Sequence, residues 1–413
     1  MTHPGRSRVE MLRENSSATT LELFFDLVLV FALTQITALM AADVSGTNVL
    51  RGMLVFAVIW WIWTGYAWFG NVVKADEGPV RVAIFAAIGV MFLIALAIPE
   101  AFADWAGGLW GPAVFAVGYL LMRTIHLLAF WAVSVKDAAL RRQLVMFTPT
   151  CLVPTALLLV AAQTSGATQI GLWVAAVVFD YGWTLLIGAG GWRVNSARHF
   201  AERHGLIVIV AIGESVVAIG VGVADLPISW PIVLGATLGL SVAASMWWAY
   251  FDTAALLAER ALGQARGAHR AALARTAYTY LHLPMVAGII LVALGLKKVL
   301  EYVGDEQHHT WSDTLSGVPL LAMYGGVVSY LLAHVGFAWR CFGTVKKHQL
   351  LVALLLLALV PLMANEPAIL TLGVLAAILV GLNVFESLRF AASRDEIRHA
   401  EHEPAGAEGH SPE

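Results

Sequence analysis

Apolar runs close to 20 residues long follow one another along almost the whole chain, at about 21–42, 51–70, 80–99, 110–133, 145–163, 168–190, 204–224, 230–252, 276–299, 315–340, 348–364 and 366–388. At 1.5 Å of rise per residue, a helix of that length crosses the roughly 30 Å hydrocarbon core of a bilayer. The runs predict an all-α polytopic membrane protein with about 12 transmembrane helices. Composition agrees: of 413 residues, 59% are hydrophobic and 13% charged, against about 45–50% and about 25% in soluble domains. A soluble chain of this length would lack the charge to cover its surface, so the surplus apolar side chains are expected to face lipid. The net charge of -3 gives no reason to expect a nucleic-acid partner. The two cysteines, Cys151 and Cys341, lie far apart in or beside apolar runs and read as packing residues. The first 20 residues are polar, so no cleavable leader is expected and the first run serves as an uncleaved anchor. Beyond Arg394 the chain is rich in Glu, His, Pro and Gly and is expected to be disordered.

Orientation follows from lysine and arginine. With the N-terminus in the cytoplasm, 21 of the 25 fall in segments on that side, among them Arg13, Lys74, Arg141, Arg193, Arg203, Arg275, Lys346 and Arg389. The other side holds Arg51, Lys297 and Lys298, and Arg123 lies within a span. Such a split satisfies the positive-inside rule in one direction only and fits an even number of helices with both termini cytoplasmic.

The halves of the chain resemble each other. Glu22 and the apolar residues after it match Glu202 and its followers, Trp60-Trp61 with Tyr66 match Trp247-Trp248 with Tyr250, and Tyr119-Leu120-Leu121 match Tyr330-Leu331-Leu332. A shift of six helices preserves orientation, so the sequence predicts two parallel six-helix halves, 21–192 and 193–390, between a cytoplasmic segment 1–20 and a tail 391–413. Chance likeness between apolar helices is the alternative.

Ionisable groups within spans cost at least about 2.5–3.5 kcal/mol each at a helix centre unless partnered or wet. This chain carries Glu22 and Asp26 at i,i+4 in the first span, Arg123 and His126 at i,i+3 in the fourth, and Asp180 in the sixth. Glu202, Arg203 and Glu214 belong to the seventh, His282 to the ninth and His334 to the tenth. These ten residues are the candidates for a proton or substrate pathway. Glu214, 12 residues or about 18 Å beyond Glu202, is placed near the midplane with Asp180, and the others in the cytoplasmic half. A polar cavity open to the cytoplasm would accommodate them, with Arg123 paired to Asp26 or Glu214. The competing reading is that polar residues pin helices together or, as core histidines, are simply satisfied. Trp60, Trp61, Trp63, Trp247 and Trp248 are read as interfacial anchors.

Five stretches carry a family likeness: Leu-Glu-Leu-Phe-Phe-Asp-Leu-Val-Leu-Val-Phe-Ala-Leu-Thr-Gln (21–35), Trp-Trp-Ile-Trp-Thr-Gly-Tyr (60–66), Glu-Arg-His-Gly-Leu-Ile-Val-Ile-Val-Ala-Ile-Gly-Glu-Ser (202–215), Trp-Trp-Ala-Tyr-Phe-Asp (247–252) and Tyr-Leu-His-Leu-Pro (280–284). In these the chain resembles the bacterial low temperature requirement protein A family. The resemblance spans nearly everything before the tail and implies a multi-pass bacterial membrane protein, which the apolar spans and charge bias place in the inner membrane. It supplies no molecular activity and no residue roles.

Three functions compete. Parallel six-helix halves with buried carboxylates suit a secondary transporter or proton-coupled permease with an acidic midplane site, moving a small solute or protons. An intramembrane lipid-modifying enzyme would use His282, His334 and the acids as acid–base groups. A sensor or scaffold would use the polar residues only to pack helices. The sequence has no phosphate-binding glycine loop, nucleophile elbow or zinc motif, so neither cofactor nor metal is expected. The expected partner is the lipid bilayer, and the oligomeric state is not encoded legibly.

Overall fold

The computed structural model describes residues 10–391 other than 15, 136, 225, 306, 307, 311 and 390. Arg6, Arg8, Lys136, Arg394, Arg398 and the tail expected to be disordered lie outside the described residues. The elements in order are α1 (Thr20–Ala42), α2 (Gly46–Gly70), α3 (Gly78–Ala97), α4 (Gly111–Val133), α5 (Ala138–Phe147), α6 (Pro149–Ala161), α7 (Gly166–Ile187), α8 (Ala197–Val221), α9 (Trp230–Phe251), α10 (Ala254–Gln264), α11 (Gly267–Leu273), α12 (His282–Gly304), α13 (Val318–Phe342), α14 (Lys347–Met363) and α15 (Ala368–Arg389). No strand occurs among the described residues, only isolated bridges such as Met11 with Val73.

Eleven helical stretches among the described residues are long and apolar enough to cross a bilayer, and α14 is an apolar helix of 17 residues. The protein is a multi-pass membrane protein. Leu27, Val82, Leu93, Leu128 and Leu354 are more than half exposed on their helices, as side chains facing hydrocarbon would be.

Local chemistry moves several boundaries from the sequence expectation. The fifth run, expected over 145–163, divides into α5 and α6, because Pro149 has no N–H to continue the ladder and starts a new helix. The seventh run begins earlier than expected, at Ala197, where Ser196 accepts a hydrogen bond from the His199 amide and caps α8. The ninth run is entered through a π-helical turn over Ala274–Tyr280, between α11 and α12.

The core is centred on α12, whose residues from Met285 to Leu300 are largely inaccessible. It packs on α1, α2, α8, α9, α13 and α15. Its closest neighbour is α13, admitted by glycine: a Cβ on Gly288 would lie 2.4 Å from the Gly326 carbonyl oxygen, and one on Gly326 would lie 2.6 Å from that of Gly288. Small residues at such a seam let backbones approach, which favours helix association in lipid.

Neighbour relations recur in the two parts of the chain. In the first, α1 packs on α2 and α3, α3 on α4, α4 on α6, α6 on α7, and α2 on α7. In the second, α8 packs on α9 and α12, α12 on α13, α13 on α14, α14 on α15, and α9 on α15. The parts meet chiefly where α1 lies against α8 and α12.

Candidate functional site

A buried ionic cluster joins the starts of α1 and α8. Thr19 caps α1 and forms a reciprocal capping box: its Oγ1 accepts from the Glu22 amide, while Glu22 Oε2 accepts from the Thr19 amide at 2.9 Å. The same Glu22 carboxylate accepts from Arg203 Nη1 at 2.9 Å and from His199 Nε2 at 3.0 Å. Arg203 Nη2 donates to Asp26 Oδ1 at 2.7 Å, and Trp63 Nε1 donates to the same oxygen at 2.8 Å. Glu22, Asp26, His199 and Arg203 are all buried. The i,i+4 spacing in both helices produces this geometry: Glu22 and Asp26 share one face of α1, His199 and Arg203 one face of α8.

Asn71, just beyond α2, fixes the histidine. Its Nδ2 donates to the Ser196 carbonyl at 2.7 Å and to His199 Nδ1 at 3.1 Å, so the His199 proton sits on Nε2, toward Glu22. Gly70 makes room for the carboxylate, since a Cβ there would lie 2.1 Å from Glu22 Oε1. Glu202 points elsewhere, accepting from the Ala18 amide at 3.0 Å and tying the N-terminal segment to α8.

Arg123 does not join this cluster. The expectation that it pairs with Asp26 or Glu214 is corrected by the structure: its Nη2 lies 3.4 Å from Asp180 Oδ1 and also donates to Thr150 Oγ1. The reason is the facing of α4, which presents Arg123 to α6 and α7, while Arg203 already occupies Asp26. Tyr119, one turn earlier on α4, donates to Asp180 as well. His126 lies against α2, with Nε2 donating to the Gly65 carbonyl at 3.0 Å.

Glu214 stands apart from both groups. It is buried, accepts from Thr34 Oγ1 of α1 at 2.7 Å, and has no ion pair among the described residues. About 10 Å of helix separates it from the end of α8 at Val221. It therefore sits beyond the middle of its helix, the earlier start of α8 having shifted it from the expected position.

The histidines are held in the core. His282 donates from Nδ1 to the Ala277 carbonyl at 3.0 Å and accepts the Tyr250 hydroxyl at 2.8 Å, which satisfies both nitrogens. His334 Nδ1 donates to Gln349 at 2.8 Å, and Gln349 in turn donates to Glu386. The ten candidates thus fall into separate groups rather than around one open cavity. The tryptophan reading is also corrected: Trp60, Trp61 and Trp63 are buried against α7, α8 and the π-helical turn, while Trp247 and Trp248 are exposed. Trp60 and Trp68 both donate to Thr279, at its carbonyl and its hydroxyl.

Several participants escaped the sequence reading. Thr19-Thr20-Leu21-Glu22 is a capping-box pattern, and His199, four residues before Arg203, was legible as its face-mate. Asn71, Gly70, Thr34 and Thr150 left no pattern, because contact between distant helices selects them. Among the described residues no group of three or more His, Cys, Asp or Glu could hold a metal ion.

A family model described as bacterial low temperature requirement A protein matches residues 17–384. An uncharacterized protein of Rhizobium meliloti (strain 1021) is 29% identical over 330 residues, covering 76% of each chain. No solved structure matches the chain.

Proposed function

We propose that this chain, which belongs to the bacterial low temperature requirement A family, is a proton-coupled permease of the bacterial inner membrane with both termini cytoplasmic. Glu214 carries the proposal. It is a buried carboxyl with a hydroxyl partner and no ion pair among the described residues, so a proton can come and go without breaking a salt bridge. Its partner Thr34 is on α1, so the acid lies where the first part of the chain meets the second. In transporters built from repeats, coupling sites lie at such a junction. The recurring neighbour relations of α1–α7 and α8–α15 support two parallel six-helix halves. The lysine and arginine asymmetry supports the orientation.

The ionic cluster supports a second role alongside. Glu22, Asp26, His199 and Arg203 pair with one another, as residues that pin two helices would, although Asp26 Oδ2 and Arg203 Nε keep no protein partner. Under this reading the cluster is the fixed end of the α1–α8 contact, and proton exchange is confined to Glu214.

The test is proton flux into liposomes holding a pH-sensitive dye, under an imposed pH gradient and voltage, with and without a pool of candidate solutes. Flux in the wild type that is lost in Glu214→Gln is the expected result. Folded wild-type protein that moves no protons under any of these conditions overturns the proposal, and leaves helix pinning or lipid chemistry.

A further inference from the structure

A second buried site lies beside Arg123. Between α2, α4, α5, α7 and the π-helical turn is a cavity of about 40 Å³, room for about three waters or one small ligand. Aromatic rings form much of its wall, those of Trp61, Trp68, Phe147 and Trp192. Two arginines reach it from different elements, Arg123 from α4 and Arg275 from the π-helical turn. Arg123 commits Nη2 to Thr150 and Asp180, and its guanidinium stacks over Phe147 at 4.9 Å, but its buried Nε–H has no protein partner. Arg275 has two such atoms, Nε and Nη1, both buried and both without a protein partner.

Buried guanidinium N–H groups without acceptors are costly, and an anion is the ligand that satisfies them. Charge fixes which anion. Asp180 offsets Arg123, whereas Arg275 has no carboxylate within 4.0 Å among the described residues. One positive charge is left over, so a monoanion balances the site and a dianion would bury an uncompensated negative charge. Shape points the same way. The guanidinium fork matches a planar carboxylate, and aromatic walls accept an apolar body but cannot solvate the further oxygens of phosphate or sulfate.

The backbone is built to present these groups. Thr279, also in the cavity wall, receives the indole N–H groups of Trp60 and Trp68, which fasten the π-helical turn to α2. π-Helical turns are frequent at functional sites. We propose that this cavity binds a small monocarboxylate, with Arg123 and Arg275 as its donors. Binding here stands independently of proton movement through Glu214.

The experiment titrates the purified full-length protein in detergent with sodium propionate, sodium octanoate or sodium phosphate at matched ionic strength. Binding is read by calorimetry and by intrinsic tryptophan fluorescence. A carboxylate is expected to give a saturable response and phosphate none. Arg275→Gln should weaken binding about tenfold or more while leaving the unfolding midpoint of the unliganded protein at or above the wild-type value, since it removes two buried N–H groups that have no protein partner. Trp192→Phe should diminish the fluorescence change but keep the heat. Saturation by propionate supports the proposal, whereas saturation by octanoate alone, whose chain exceeds a cavity of about 40 Å³, places binding elsewhere and overturns it. No saturable carboxylate binding, equal binding of phosphate, or an Arg275→Gln protein that binds like the wild type overturns it.

Discussion

Removing Arg203 tests the ionic cluster most directly. Its guanidinium pairs with Glu22 at 2.9 Å and Asp26 at 2.7 Å, and all three side chains are buried. Taking one partner out of a buried pair costs about 3–5 kcal/mol, because the remaining charge is stranded. Arg203→Gln strands two carboxylates, but not equally. Glu22 keeps His199 and the Thr19 amide, while Asp26 keeps only the Trp63 indole N–H. Asp26 should therefore account for most of the loss. Adding Asp26→Asn removes a charge worth about 2.5–3.5 kcal/mol in a membrane interior and should restore at least half the stability. Adding Glu22→Gln should restore less, since it also weakens the α1 capping box. Cys151 is buried and Cys341 half-buried, both as free thiols, so a thiol-reactive fluorophore reports unfolding as denaturant is raised. An Arg203→Gln protein within about 1 kcal/mol of the wild type, or one rescued equally by either second substitution, would refute this account.

Two further outcomes follow from the same geometry. Gly70→Ala places a methyl group 2.1 Å from Glu22 Oε1, so it should cost about 1–3 kcal/mol by overpacking and much less in a Glu22→Ala background, as a double-mutant cycle on unfolding midpoints would show. At the chain's start, Lys74 beside Glu10 holds its carboxyl below the usual range. A carboxyl lowered in the folded state lends support above its unfolded pKa and loses it as pH falls through the folded value. The N-terminal segment, bound by the Leu12 amide to the Val72 carbonyl, should thus become easier to cleave by protease as pH falls below about 4.5, and in Glu10→Gln already at neutral pH.

The architecture was open to sequence reading because lipid imposes a length and a polarity on every span, and those are local properties. The ten polar candidates were legible for the same reason: a charge in an apolar run stands out. What could not be read was pairing. Arg123 had Asp26, Glu214 and Asp180 as available acids, and the choice depended on which side of α4 faces α7. The tryptophans of α2 misled because an indole is equally at home in a headgroup layer and in a core that supplies an acceptor such as Thr279. The seventh helix was misplaced at its start because its first two turns, with Arg198, Glu202 and Arg203, are polar in sequence although partly buried in the fold. Cavities and glycine clearances, which define the site around Arg275 and Gly70, belong to surfaces from different helices and have no signature along the chain.

The π-helical turn before α12 has a consequence for chain length. Such a turn closes its ring through i→i+5 hydrogen bonds, one residue more than an α-turn. The segment Ala274–Tyr280 thus stores a surplus residue within a continuous rod. Deleting one residue there would let the rod anneal to plain α-helix, and the part before the deletion would swivel by about 100° relative to α12. Arg275 would swing off the cavity while the Gly288–Gly326 seam kept its register. A single-residue deletion at this point would thus act as a coarse dial on one arginine, independent of any point substitution.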